Sequence, residues 1–270
     1  MDNEKIAIIT PFKNASQFVE NYLNSLLSQT YKNWHCYLIN DGSKDNSFDL
    51  IKDLTKNDER FFLLNSSKEN ISLGPAISRN VGLRASNESL ICFLDIDDLW
   101  HPDKLELQIK FLIENDLDIC VTSYCKFQGK NINSKSIIDP PLNLEYKSLL
   151  KRNYIPLLTV LIKRDLNDFI FPNTKHEDYA MWLNIFWKNP NIRYGSLRKT
   201  LCYYRIHEFN ITSNKIKMLI WIFKAYRTHG IKSLKASILV FRLLCIHLLN
   251  LFVFIFNNFN VKRNKIRDLS

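Results

Sequence analysis

The sequence predicts an α/β fold, a mostly parallel sheet with helices on both faces, and three observations carry that expectation. Over the first hundred residues, short apolar runs of strand length alternate with stretches of helical periodicity, the pattern of successive βαβ units. The runs end in turn-forming or acidic residues, at Pro11, at Asn40-Asp41-Gly42 and at Asp95-Ile96-Asp97-Asp98. The chain has 270 residues, 46% of them hydrophobic, enough for a sizeable core, and shows no repeat of solenoid length.

The elements follow in order. Ile6–Thr10 is a strand closed by Pro11, and residues 16–29 place Phe18, Tyr22, Leu26, Leu23 and Leu27 on one helical face. His35–Ile39 is the second strand; Ser43 or Asp45 can cap the next helix, which carries Phe48, Ile51 and Leu54. Phe61–Leu64 is a strand, Ala76–Ala85 a helix and Leu90–Leu94 a strand, and His101-Pro102 opens a helix through Leu105, Ile109 and Leu112. Beyond residue 117 the pattern is mixed. Ile119–Phe127, Thr159–Ile162 and Leu201–His207 read as strands, Glu145–Lys151 and 176–187 as helices.

Asp95, Asp97 and Asp98 crowd three carboxylates into four positions at the end of the fourth strand. Burying like charges is costly without compensation, so a positive partner belongs there. Oxygen ligands at this spacing suit a hard divalent cation, Mg²⁺ or Mn²⁺, which binds through one or two carboxylates plus substrate phosphates. The alternative is a plain turn, with Asp98 or Asp103 capping the following helix. Ligands of open parallel sheets bind beyond the carboxyl ends of the strands. The segments after strands one, two and four therefore converge on one edge.

Composition narrows the function classes. The net charge is +10, and residues 215–270 hold eleven Lys/Arg against one acid, Asp268, so the remaining 26 bases and 26 acids leave residues 1–214 neutral. That distribution argues against nucleic acid as a partner and for a basic C-terminal attachment device. The chain accordingly divides into a neutral α/β unit, 1–214, and a basic, apolar helical tail, 215–270. Residues 236–256 are long enough to span a bilayer, but Arg242 costs about 2.5–3.5 kcal/mol at a helix centre. Bases on both flanks fit a helix lying on an anionic membrane surface better than one crossing it. Packing of this segment on the core is the other alternative. MDNEKIAIIT has too short an apolar run for a signal peptide, so the expected location is cytoplasmic, peripheral at the inner face of the plasma membrane. None of the six cysteines forms a CxxC pair, which points to reduced thiols packed in the core.

The stretches IITPFKNA (8–15), SLLSQTYKNW (25–34), INDGSKDNS (39–47), GPAISRNVGLRAS (74–86), FLDIDDLWHPDKLELQ (93–108), HEDYAMWL (176–183) and YYRIHEFNIT (203–212) stand in an order and spacing that resembles family 2 glycosyltransferases. The resemblance covers roughly residues 5–210. It implies the GT-A fold and transfer of a sugar, with inversion, from a nucleotide-diphosphate donor, most simply a UDP-sugar. The acceptor implied is a hydroxyl of a surface glycan, lipopolysaccharide included, or of a lipid-linked oligosaccharide.

Carried onto matching positions, the resemblance assigns Pro11, Phe12 and Asn14 to the nucleotide. Asp41 would accept from the uracil N3–H, Arg79 would lie beside base and ribose, and Asp95 would reach the ribose. Asp97 would ligate Mg²⁺ or Mn²⁺ on the diphosphate, with His207 or Arg205 at the metal or pyrophosphate, while Asp98 orients the loop. In the pair Glu177-Asp178, Asp178 would be the general base; helix capping is the alternative for these two acids. Two rival functions follow from the same fold. A non-catalytic sugar- or nucleotide-binding protein would not need Asp178, and a sugar-nucleotide pyrophosphorylase would want a glycine-rich basic loop where TPFKNA offers Lys13 alone.

Overall fold

A computed structural model describes residues 4–129, 137–166, 169–206 and 215–245. The first half runs β1 (Ile6–Phe12), α1 (Val19–Leu27), β2 (Trp34–Asn40), α2 (Ser47–Thr55), β3 (Phe61–Asn65), α3 (Pro75–Ala85) and β4 (Leu90–Phe93). The second runs β5 (Leu99–Trp100), α4 (Lys104–Glu114), β6 (Ile119–Phe127), β7 (Ile137–Ile138), α5 (Tyr146–Leu149), β8 (Val160–Lys163), α6 (Glu177–Lys188), β9 (Tyr194–Arg205) and α7 (Lys215–Thr228). A last helical stretch, α8, covers 233–245.

The strands form one sheet in the order β3-β2-β1-β4-β8-β6-β9-β5, with β7 paired to β6. The first four are parallel; β8 enters antiparallel to both β4 and β6, and β9 runs parallel to β6. The two halves therefore differ, the first a pure parallel layer and the second a mixed one.

Strands β1 and β4 are buried on both faces, which is why their sequences are continuous apolar runs and not alternating ones. Period-two geometry sends Ala7, Ile9, Ile39, Ile91 and Phe93 to the face covered by α3, α6 and α7. Ile6, Ile8, Leu38, Leu90 and Cys92 go to the face covered by α1, α2 and α4. Gly82 of α3 lets that helix press on the sheet, since a Cβ there would lie 2.8 Å from side-chain atoms of Ile9 and Ile39. Five cysteines, 36, 92, 120, 125 and 202, are buried and unbridged, and burial pushes the Cys36, Cys120 and Cys202 thiols up to about 12.

Several boundaries differ from the sequence reading. α1 begins at Val19 with Phe18 as its N-cap, and Leu27 and Leu54 are exposed at 43% and 50% although periodicity places them inward. Neither Ser43 nor Asp45 is the N-cap of α2; that position is Asn46, and Asp45 instead accepts from the Ser47 N–H. Strand β9 starts at Tyr194, seven residues before Leu201, because its register with β6 shifts around Thr122–Tyr124 and Arg198-Lys199 interrupt the apolar pattern.

The described part of 215–270 packs on the core. Ala225, Tyr226, Ile231 and Ala236 join the same cluster as β1 and α6. The Tyr226 hydroxyl donates to the Leu150 carbonyl at 2.9 Å and lies 3.1 Å from the Tyr179 hydroxyl of α6. Residues 246–256, the remainder of the apolar segment 236–256, lie outside the described residues. Among the described residues no helix is long and apolar enough to cross a membrane.

Candidate active site

The carboxyl ends of β1, β2 and β4 meet at one edge, as parallel pairing of β1 with both neighbours requires. The turn after β1 is locked to the turn after β2. The Asp41 N–H donates to the Phe12 carbonyl (2.8 Å), the Lys44 N–H to Asn14 Oδ1 (2.8 Å), and the Asn14 N–H to Ser43 Oγ (3.1 Å). Asn14 adopts φ 49°, the left-handed region that Asn tolerates. Pro11 is half-buried and Asn14 exposed, whereas the Phe12 ring is 2% exposed in the core, so at this edge Phe12 offers its backbone.

Asp41 is held by the loop that follows β3. Its carboxylate accepts from Ser66 Oγ (3.0 Å), Ser72 Oγ (2.7 Å), the Leu73 N–H (2.8 Å) and the Gly74 N–H (3.1 Å). Burial pushes this carboxyl up, but the Ser72, Leu73, Ser66 and Gly74 donors outweigh it and hold the group below the usual Asp range. The loop reaches Asp41 only because residue 42 is glycine: at φ +71° its Cβ would stand 2.8 Å from the Ile71 carbonyl carbon and the Ser72 nitrogen.

The acids after β4 are organised by two arginines. Arg79, on α3 and 5% exposed, donates from Nη2 to Asp95 Oδ1 and from Nη1 to Glu177 Oε1, both at 2.7 Å. One buried guanidinium thus joins the β4 end to the start of α6, and its Nε has no protein partner. Arg205, at the end of β9, donates its N–H to Asp98 Oδ1 (2.8 Å) and its Nε–H to the Asp97 carbonyl (2.7 Å). β5 pairs with β9 immediately after these acids, so the Asp95–Asp98 segment is clamped at both ends. Asp98 is 2% exposed; burial, then Asp97 and Asp95, push its carboxyl well up.

The first turn of α6 carries Glu177 and Asp178, where negative charge suits the helix dipole. Neither is the N-cap: His176 is, at φ 56°, packed edge-on to Trp221 of α7 with ring centres 5.6 Å apart. Asp178 Oδ2 accepts from Asn153 Nδ2 at 2.9 Å, and Asn153 Oδ1 in turn accepts from the Ile155 N–H. Burial raises the Asp178 carboxyl above the usual range and Glu177 adds to the rise, while His176 and Arg79 pull it back.

Of the residues singled out in the sequence, Asp95, Arg79 and the Glu177-Asp178 pair are brought to one place, with Asp97 and Asp98 in the same clamped segment. Arg79, assigned from the resemblance to base and ribose, has its guanidinium engaged by two carboxylates. Asp103, the N-cap of α4, makes no side-chain capping bond, and Asp98 serves Arg205 and not a helix end. His207 lies outside the described residues. A hollow of about 550 Å³ beside Asn40, Asp45, Phe48 and Asn65 does not include Asp95, Asp97 or Asp178. Three contacts were not legible in the sequence: Glu177 as the second partner of Arg79, Asn153 at Asp178, and Arg205 on the backbone of Asp97.

The chain matches the family model described as glycosyl transferase family 2 over residues 7–186. A glycosyltransferase of Haemophilus influenzae is 34% identical over 230 residues, covering 84% of this chain and 89% of that protein. The Escherichia coli UDP-Glc:alpha-D-GlcNAc-diphosphoundecaprenol beta-1,3-glucosyltransferase WfgD is 35% identical over 220 residues, 81% of this chain and 84% of that one. The crystal structure of S. aureus TarS 1-349 in complex with UDP-GlcNAc superimposes with a TM-score of 0.67 at 18% identity, over 89% of this chain and 71% of that one, and so shares the GT-A fold. With a curled α/β sheet of that type and a family match over two thirds of its length, the chain is a glycosyltransferase of family 2.

Proposed function

We propose that the protein moves a sugar from a UDP-activated donor to a hydroxyl of a lipid-linked acceptor, with inversion at the anomeric carbon, during assembly of a surface glycan at the inner face of the plasma membrane. The carrying observation is the bridge Asp95–Arg79–Glu177. It ties the acids assigned to the donor to the helix turn that presents Asp178. WfgD, by its name, uses UDP-Glc and a diphosphoundecaprenol-linked acceptor, and TarS was crystallised with UDP-GlcNAc; both support the donor class, and WfgD the acceptor class.

In this reading the acceptor oxygen attacks the anomeric carbon, the bond from that carbon to the diphosphate oxygen breaks, and the acceptor proton passes to the Asp178 carboxylate. UDP leaves with the bonding pair. A carboxyl raised by burial and a like-charged neighbour is a stronger base than a solvated one, and such assistance contributes about 10²–10⁴-fold. Asn153 fixes one Asp178 oxygen and so orients the other. At the base end, the uracil N3–H takes the place of a Ser66 or Ser72 hydroxyl on Asp41.

Among the described residues no three metal-ligating side chains are gathered as a ready cluster, so the case for a hard divalent ion rests on ligand type. Asp95, Asp97 and Asp98 supply oxygen alone; Arg79 compensates Asp95, Arg205 serves Asp98, and Asp97 is half-buried beside them. Asp97 would hold Mg²⁺ or Mn²⁺, with His207 as a second contact, and the ion would neutralise charge on the departing diphosphate.

The test is a screen of UDP-, GDP- and dTDP-sugars with a GlcNAc-diphospho-lipid acceptor, with Mn²⁺ or with EDTA. UDP release that requires the acceptor and disappears in EDTA is expected. Turnover only with another nucleotide, or undiminished in EDTA, would overturn the donor or the metal assignment.

A further inference from the structure

Helix α8 carries two apolar faces, and the core uses only one. Ala236, fully buried, and the half-buried Leu239 and Val240 pack into the cluster shared with α6 and α7. On the opposite side Leu234, Ile238 and Phe241 are 77%, 59% and 66% exposed. Their i, i+4, i+7 spacing aligns them in one stripe along the helix. Single exposed apolar residues are ordinary, but Leu234 and Phe241 are the two most exposed large hydrophobics among the described residues, and they share a face.

Charge identifies what the stripe fits. Lys235 and Arg242, both exposed, flank it on the same side, and exposed Lys232 precedes it. Residues 215–245 contain seven Lys/Arg and no acid. A second copy docking here would bring like charge against like charge. An apolar stripe edged by bases on an acid-free segment complements a surface with hydrocarbon below and negative charge above it.

We infer that this face of α8 docks on an anionic lipid bilayer, with Leu234, Ile238 and Phe241 entering the headgroup boundary and Lys232, Lys235 and Arg242 meeting the lipid phosphates. The inference does not depend on the donor or acceptor proposed above, because its readout is vesicle binding and not turnover.

The experiment sediments the full chain with phosphatidylglycerol–phosphatidylcholine vesicles and with phosphatidylcholine alone. Wild type should pellet with the anionic vesicles and far more weakly with the neutral ones. The triple change Leu234→Ser, Ile238→Ser, Phe241→Ser should lower the partition coefficient more than about tenfold. Lys232→Gln, Lys235→Gln, Arg242→Gln should lower it about 100-fold, roughly fivefold per base, and leave the remainder less salt-sensitive. As a check that does not rely on the triple variants folding, Phe241→Trp should shift its emission to the blue on adding anionic vesicles.

Three results would overturn the inference. Undiminished pelleting of the apolar triple variant would place attachment in residues 246–270. Equal binding to both vesicle types would remove the charge argument. Self-association lost in the apolar triple variant, with no vesicle binding by wild type, would assign the face to a second copy.

Discussion

The carboxylate after β2 and the carboxylates around the β4 end stand at one sheet edge yet are satisfied in opposite ways. Asp41 is surrounded by neutral donors from its own neighbouring loop and is held below the ordinary Asp range. Asp95 and Glu177 share one buried guanidinium, and beside them burial and crowding raise Asp98 and Asp178. In the proposed mechanism the difference separates an anchor from a reactive site. An anion fixed by short neutral hydrogen bonds shapes a loop and is a poor base; a raised, like-charge-crowded carboxyl is ready to accept a proton.

Breaking the charged half should cost most. Arg79→Ala leaves the half-buried Glu177, its side chain 14% exposed, without its cation, so unfolding free energy should fall by about 3 kcal/mol, the low end for a buried pair, in a denaturant titration, with turnover lost. An effect under about 1 kcal/mol would mean the bridge is not formed in solution.

The neutral half breaks more gently. Gly42→Ala forces a Cβ into the backbone of the 70–72 loop at a positive φ, an expected cost of about 1–3 kcal/mol by the same titration. It should also weaken UDP binding, because the loop would leave Asp41.

Acid sharpens the comparison. Asp41 is held low, and Asp118 is lowered to about 2, mainly by its hydrogen bonds from Arg193. A carboxyl whose folded value lies below its unfolded value contributes stability above the unfolded pKa, near 4, that is lost as pH falls through the folded value. The denaturation midpoint should therefore drop from about pH 4 downward. Asp41→Asn should lower stability at neutral pH by about 1 kcal/mol per bond lost and flatten that acid drop. An acid profile identical to wild type would show that Asp41 is not held as an anion.

The smallest expected effect is at Asn153. Removing its amide with Asn153→Ala should cost about 0.5–1.5 kcal/mol of stability and slow transfer through misorientation of Asp178. Donor KM should stay put, and a changed donor KM would place Asn153 on the donor side instead.

How much of this was legible in the sequence depends on the range of the interaction. The strands β1–β4 and the acids at their ends could be read from local pattern, because apolar runs and turn residues act over a few positions. The insertion of β8 antiparallel between β4 and β6 could not, since its partners lie about seventy and forty residues away in sequence. The same holds in the site. Asp178 was assigned through the family resemblance of its ED pair, but Arg79 meets Glu177 across a sequence gap of 98 and Arg205 meets Asp97 across 108, and no local periodicity encodes either contact. Strand β5, only two residues long, is below what pattern resolves.

The most direct measurement is acceptor-dependent transfer by Asp178→Asn, set beside the thermal shift that UDP produces in the same variant. The account predicts a fall in kcat of about 10²–10⁴-fold with the UDP-induced rise in Tm unchanged. Transfer at the wild-type rate would contradict it.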